Sequence, residues 1–487
     1  MGNPDDEPNK ITPQAIIDHA LELIKDIYAP HDKILSLLAE KVEEIDFHGL
    51  AGVAENEEVP IWKLNVIAVD EILRLAQYYH WGICKNKDFI YLYNGAYWFN
   101  LDSDIFMTFL GEVSHKLGIP ELRSRHYEFR KKLLAQFHAV ANMPPPKKES
   151  ESALINLVNG TLEIGGEGTR LRAFDKNDFL TYQLPFSFDP NAKAPIFQNY
   201  LETVLPHREL QDILAEYIGY VFIPNKKLKL EKTILLYGTG ANGKSVFFDV
   251  INALLGRQNV STYSLQNLTD KPGYYRAMIA TKLVNYASEI NRKLDPTLFK
   301  QLVSGEPVEA RLPYGQPFIM ENYAKLIFNT NELPKDVEHT NAYFRRFLII
   351  PFEVVIPEPL QDKNLANKII AKELPGVLNW VLKGMKRLAQ NKAFTQSDIV
   401  NNQIKDYKNE SDTAWLFLEE LGYVPDNSNY KTLKEMYNQY KVFCSENNYR
   451  PYSNRTFMKQ LKTHHFETKK INKGQIVFCK IDASAYL

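Results

Sequence analysis

Three cysteines, Cys84, Cys444 and Cys479, are all the chain holds in 487 residues, and they lie far apart. That spacing suits neither a disulfide framework nor a zinc site, and argues for a reducing, intracellular compartment. No apolar run approaches the roughly 18–20 residues of a membrane helix. The first ten residues, MGNPDDEPNK, have neither the basic nor the apolar stretch of a secretion signal, and MGNPDD lacks the hydroxyl residue of a myristoylation signal. No internal repeat is evident. Net charge is nearly absent too, at −1, so the whole-chain balance points to no partner.

The length allows three or four domains at about 100–200 residues each, and 45% hydrophobic residues are enough for ordinary cores. The charge is unevenly spread. Residues 1–60 carry 14 Asp and Glu against 4 Lys, whereas residues 431–480 carry 11 Lys and Arg against 3 Glu, a local net of +8. Such a basic end suits nucleic-acid contact or a solvated helical face.

The strongest motif is Thr233–Ser245, TILLYGTGANGKS. Ile234–Tyr237 reads as a buried strand, and Gly238, Thr239, Gly240, Ala241, Asn242 and Gly243 turn the chain. Lys244 and Ser245 then open a helix whose apolar face is Val246, Phe247, Val250, Ile251, Leu254 and Leu255. Strand, glycine-rich loop and helix at the spacing GxxxxGK[ST] is the pattern of a phosphate-binding loop. Glycines let successive N–H groups curl around a phosphate, and the helix N-terminus adds its positive dipole end. Lys244 can reach the β- and γ-phosphates and the Ser245 hydroxyl can sit on Mg²⁺, so ATP and Mg²⁺ are the expected cofactors. A nucleotide alone does not say what its energy does.

Residues 1–145 read as a mixed α/β accessory domain. Helical periodicity over 13–45 is interrupted at Pro30, and FIYLYNGAYWFN forms an aromatic hairpin at Asn94-Gly95. Helices are expected over 70–78, 101–117 and 121–140. Tyr91, Tyr93, Tyr97, Trp98 and Phe99 suit base stacking, but packing of the hairpin itself is their expected role. MPPPKKESES (143–152) reads as a linker and domain boundary. A helical collar region over 153–225 then precedes an ATPase core and lid over 226–390. The core's further strands are Lys282–Ala287, Ala324–Thr330 and Phe347–Phe352, whose alternation with helices argues a parallel α/β sheet. Val308–Met320 reads as a hairpin around Pro313-Tyr314-Gly315, and residues 391–411 as a linker or exposed helix. Residues 410–487 hold three helices, the last capped by Ser453, and a basic hairpin that together look like a winged helix.

A phosphate loop needs a metal-side acid, a γ-phosphate sensor and usually an arginine. Glu289 follows the second strand, where ligand crevices open, and can polarise an attacking water or join Ser245 on the metal. The preceding position holds Ser288, which cannot supply a carboxylate's charge. Asn331 follows the third strand as the sensor, ahead of Asn329; an Asx turn is the alternative role. Arg345 and Arg346 precede the fourth strand. Adjacent side chains in an extended stretch point opposite ways, so one can be a finger donated to a neighbouring subunit while the other makes a salt bridge. Lys300, Arg311 and Tyr314 make a basic, aromatic group suited to single-stranded DNA. Arg455, Lys459 and Lys462, with Lys469, Lys470 and Lys473 in the wing, are expected on phosphates.

Taken in order, GTGANGKS, NYASE, FKQLVSGEPVEARLPYGQPF, KLIFNTNELP and YFRRFLIIPF resemble superfamily III helicases. Among these they resemble the phage and plasmid primase–helicases related to the poxvirus helicase–primase. The resemblance spans about residues 88–480. It implies an AAA+-like ATPase core with a mainly helical N-terminal region and a C-terminal winged helix. It also implies a homo-oligomeric, hexameric ring in a bacterial host's cytoplasm, moving 3′ to 5′ on single-stranded or forked DNA beside other replication proteins. Lys244 and Ser245 then match the phosphate loop, Glu289 the Walker B acid, Asn331 sensor 1, Arg345 or Arg346 the finger, and Lys300 and Arg311 the DNA hairpin motif. Residues 1–145 show no compact acidic motif on strands, so primase activity is not expected. The alternatives are a primase–helicase with a cryptic primase centre and a DNA-binding initiator that uses ATP only to assemble.

Overall fold

A computed structural model describes residues 30–86, 89–142, 152–165, 168–288, 295–313, 315–334, 338–447, 449–472 and 474–482. It divides into two compact units, Met1–Phe188 and Asp189–Leu487.

In the first unit, helices His31–Glu40, Ile61–Tyr78, Ser103–Lys116 and Tyr127–Val140 bury one apolar stripe each. Ile34, Leu38, Ile72, Phe106, Leu110, Leu133 and Phe137 form their common core. Of the two helices expected over 13–45, the first lies outside the described residues. The aromatic hairpin forms as Phe89–Tyr93 and Trp98–Leu101, with Gly82–Asn86 as a third antiparallel strand. Its turn is held by the Asn94 carboxamide, which accepts from the Ala96 and Tyr97 amides at 3.0 Å each. Tyr91, Tyr93 and Trp98 are buried with Cys84, and the Trp98 indole donates to Lys176 O at 2.9 Å. These rings are core.

A second antiparallel sheet, Ala153–Leu157, Gly160–Gly165 and Gly168–Arg172, belongs to the same unit. The fully buried Asn156 side chain donates to Ala96 O at 3.0 Å and to Tyr182 O at 3.1 Å. The structural division therefore falls after Phe188, not at the expected boundary over 143–152, and it splits the collar region expected over 153–225. Residues 143–151 lie outside the described residues. A buried N–H donor needs acceptors, and the Asn156 side chain finds one on each side of the proline run, at Ala96 and Tyr182.

The second unit is built on a parallel sheet of five strands: β1 Thr233–Tyr237, β2 Val260–Ser261, β3 Val284–Ala287, β4 Lys325–Thr330 and β5 Phe347–Pro351. Their order is β5-β1-β4-β3-β2. Every residue of β3 and β5 is buried, as expected of parallel strands covered on both faces. Helix Lys244–Leu255 covers one face through Phe247, Val250, Ile251, Leu254 and Leu255. Val308–Arg311 and Pro317–Met320 pair antiparallel, giving the expected hairpin.

Helices Pro195–Val204, Arg208–Tyr220, Leu365–Lys372 and Leu374–Asn391 form a layer beside this sheet. Arg208–Tyr220 and Leu374–Asn391 cross at a glycine: a Cβ at Gly384 would sit 2.4 Å from the Ala215 carbonyl carbon. The buried Glu216 carboxylate ties them together, accepting from Arg387 Nε at 2.5 Å and from Thr395 N and Oγ1 at 2.8 and 2.6 Å. Of the two alternatives for residues 391–411, residues 398–410 take the helix, largely exposed but with Val400 and Tyr407 buried. They form Asp398–Glu410, whose buried Tyr407 packs edge-on against Phe344 and Phe347 and donates to Pro334 O at 2.9 Å. Beyond it, Thr413–Glu420, Leu433–Glu446 and Asn454–Thr463 enclose a core of Phe417, Met436, Tyr440 and Phe457. They are flanked by an antiparallel sheet ordered 423–432, 474–481, 468–471. The first of these strands is absent from the sequence reading. No helix among the described residues is long and apolar enough to cross a membrane.

Candidate nucleotide site and nucleic-acid surfaces

β4 lies between β1 and β3 in parallel register, with Thr330 opposite Tyr237 and Phe328 opposite Ala287. Three stretches far apart in sequence thus leave the sheet at one carboxyl edge: the 238–245 turn, Asn331 and Ser288. The Gly238 amide donates to Thr330 O at 3.2 Å across that edge. Glu289, one residue past Ser288, lies outside the described residues. Asn331 is exposed at the edge, whereas Asn329 is buried and its carboxamide accepts from Tyr286 OH at 3.0 Å. Of the two asparagines, only Asn331 is placed to meet a ligand there.

The turn is held from several sides. Phe352 O accepts from the Asn242 side chain at 2.9 Å, and Ala241 O accepts from the Ile356 amide at 2.9 Å. Ala241 is kept at φ 52, a strained region for a non-glycine residue that is found more often at functional sites. Gly243 stands at φ 86 as the helix N-cap, and a Cβ there would come within 2.7 Å of Val204. At Gly240 the same test meets nothing within 4 Å, so the turn is open on that side. Thr239 and Ser245 are exposed. Lys244 is 7% exposed; its Nζ donates to Gly238 O at 2.5 Å and to Asn242 Oδ1 at 3.1 Å. Burial lowers its pKa. An ammonium folded onto its own loop's oxygens, beside an open glycine turn and a helix N-terminus, fits an anionic phosphate with a cation on the Ser245 side.

The two arginines stand apart in burial. Arg346 is turned into the core with a side chain 9% exposed; it donates to Ser304 Oγ at 2.8 Å and to Ala342 O. Arg345 is 64% exposed and pairs with Glu231 at 2.9 Å. Both precede β5, at the amino edge of the sheet, opposite the loop. Arg346 is therefore a structural cation and not a second finger candidate. Glu231, at φ 52 just ahead of β1, holds both arginines, and no motif in the sequence marks it.

Lys300, on helix Pro296–Ser304, is not a free cation: Glu338 takes its ammonium at 2.9 and 3.1 Å. Arg311 is exposed at the end of its strand and donates to Gly315 O at 2.9 Å across the hairpin tip. Tyr314 lies outside the described residues. Arg455, Lys459 and Lys462 form one exposed stripe on helix Asn454–Thr463, opposite the buried Phe457 and Leu461. Ser453 caps that helix, accepting from the Thr456 amide at 3.2 Å. Lys469 and Lys470 are exposed on the neighbouring strand, and Lys473 lies outside the described residues.

Three family models match in succession. "D5 N terminal like" covers residues 73–206, a family of unknown function (DUF5906) covers 236–346, and "Poxvirus D5 protein-like" covers 400–482. Among solved structures, three of the NrS-1 C-terminal region are similar, at 14%, 13% and 14% identity. They cover 84%, 84% and 88% of this chain and 98%, 98% and 100% of those chains, with TM-scores of 0.42, 0.44 and 0.41.

Proposed function

We infer that this chain, a member of the D5-type family of phage primase–helicases, hydrolyses ATP and couples the hydrolysis to unwinding DNA. One observation carries the reading: the GxxxxGK[ST] turn, Asn331 and Ser288 leave adjacent strands at the same sheet edge. Ligand crevices in open parallel sheets lie at that edge. The strand order β5-β1-β4-β3-β2 supports an AAA+-like core.

In this mechanism the backbone amides of 238–245 cradle the triphosphate. Lys244 leaves Gly238 O and Asn242 Oδ1 for the β- and γ-phosphates. A magnesium ion held at Ser245, and by Glu289 or its water, would neutralise charge on the phosphate oxygens. Glu289 orients the attacking water and Asn331 contacts it or the γ-phosphate. Arg345 starts at least four residue steps along β5 from the loop's level, about 13 Å at the usual rise, so it serves a neighbouring copy's nucleotide. A finger in trans needs a second copy, and the assembly of this proposal is a hexameric ring moving 3′ to 5′. Arg311 and the hairpin tip face the translocating strand, and the stripe of Arg455, Lys459 and Lys462 binds duplex or single-strand phosphates. The test is steady-state ATP hydrolysis by the full chain with and without single-stranded DNA. Hydrolysis stimulated by DNA is expected; an inactive protein, or one indifferent to DNA, would overturn the reading.

A further inference from the structure

The helix Pro195–Val204 carries no recognisable motif, yet it forms one wall of the glycine-rich turn. Tyr200 is 4% exposed, and its hydroxyl donates to Gly243 O at 2.8 Å. Burial raises its phenol pKa well above the ordinary value, so it stays a protonated donor. The helix and loop touch closely enough that a Cβ on Gly243 would meet both Val204 and Tyr200 within 3.1 Å. The far end of the same helix is pinned as well. Glu373, 5% exposed and directly ahead of helix Leu374–Asn391, accepts from the Ile196 and Phe197 amides at 3.0 and 2.9 Å.

The Gly243 carbonyl and the Lys244 amide belong to one planar trans peptide, so they point in opposite directions. Whatever fixes the carbonyl fixes the amide. The same oxygen accepts from Val246 N at 3.0 Å and Phe247 N at 3.2 Å, and Tyr200 supplies a third donor from outside the helix. We propose that Tyr200 is a positioning residue for the nucleotide: it sets the Gly243–Lys244 peptide so that the Lys244 amide faces the bound phosphate, while Glu373 holds its helix in place. The proposal rests on the reading that the turn binds ATP.

Tyr200→Phe keeps the ring and removes only the donor. Tyr217→Phe is the matched control, because Tyr217 is also buried and donates to Leu326 O at 2.7 Å and Lys232 O at 3.2 Å, away from the turn. The experiment measures equilibrium binding of a fluorescent ATP analogue with Mg²⁺, KM and kcat for DNA-stimulated hydrolysis, and Tm, all on the full chain. Tyr200→Phe is expected to weaken nucleotide affinity and raise KM by about 3- to 10-fold, the range of one lost buried hydrogen bond, with kcat within about twofold. Tyr217→Phe is expected to lower Tm and leave affinity and KM unchanged. Unchanged affinity in Tyr200→Phe, or an equal loss in Tyr217→Phe, overturns the proposal. If the wild-type chain binds no ATP, both the proposal and the reading beneath it fall.

Discussion

Arg345 and Arg346 are neighbours in sequence and should behave as opposites. Arg345→Ala removes a side chain that is 64% exposed and one ion pair with Glu231 at 2.9 Å. An exposed pair is worth about 0.2–1 kcal/mol, so the fold should barely notice. Arg346→Ala removes a side chain 9% exposed, strands Ser304 Oγ, and withdraws the second cation from Glu231 at 3.4 Å. Leaving buried polar partners unsatisfied should lower stability by about 2–4 kcal/mol. Activity should run the other way. If Arg345 stabilises the transition state in trans, its loss should reduce ATP turnover by about 10³-fold or more. Urea denaturation gives the first quantity and steady-state hydrolysis the second. Co-assembly sharpens the test. Arg345→Ala and Lys244→Ala proteins are each inactive, but a mixed ring contains interfaces with one intact loop and one intact finger. Recovered hydrolysis in the mixture is expected. Full activity in Arg345→Ala alone, or a mixture as dead as its components, would refute the trans assignment.

Other perturbations should read out the remaining parts. Arg387→Leu leaves the Glu216 carboxylate buried beside only Thr395, so stability should fall by about 3–5 kcal/mol in a denaturant melt. Arg311→Ala should cut DNA stimulation of hydrolysis while basal turnover holds, seen by titrating single-stranded DNA. Removing residues after Ser411 should weaken DNA binding and flatten its salt dependence by about 0.7 log units per lost phosphate contact on single strands. Lys325 sets a pH dependence: burial lowers its amine from 10.5 to about 7. Between those values the unfolded chain takes up a proton that the folded chain resists, so stability should rise with pH there, by up to about 1.4 kcal/mol per unit. Lys325→Met should flatten that rise in melts from pH 7 to 9.

The core strands were legible because a parallel sheet buried on both faces needs unbroken apolar runs, and TILLY, KLIFNT and FLIIP are such runs. β2 is two residues long, too short to leave a pattern. Tyr423–Thr432 was hidden by its own composition: YVPDNSNYKT is polar, carries a proline, and its register shifts between Pro425 and Tyr430. The proline-rich run at 143–152 announced a break that compactness does not follow, because Asn156 depends on carbonyls at residues 96 and 182. Alternation along an extended chain does not separate the two arginines: they sit in a turn, with Arg345 in the helical region, and converge on one Glu231 oxygen, so only burial distinguishes the one left at the surface. Helix Asp398–Glu410 left linker and exposed helix open because only Val400 and Tyr407 of its thirteen residues are buried, too few for a clear apolar stripe. Nothing in FQNYLETV distinguishes Tyr200 from any core tyrosine; its value comes from a glycine 43 residues later in the chain.

The central claim is that the energy bound at Lys244 separates DNA strands. Strand displacement on a forked duplex with ATP and Mg²⁺, comparing the wild-type chain with Lys244→Ala, tests it most directly. The account predicts unwinding by the wild type and none by a Lys244→Ala protein that melts at a similar temperature and still binds DNA. Unwinding that survives in Lys244→Ala, or a wild type that hydrolyses ATP on the fork without parting its strands, would contradict it.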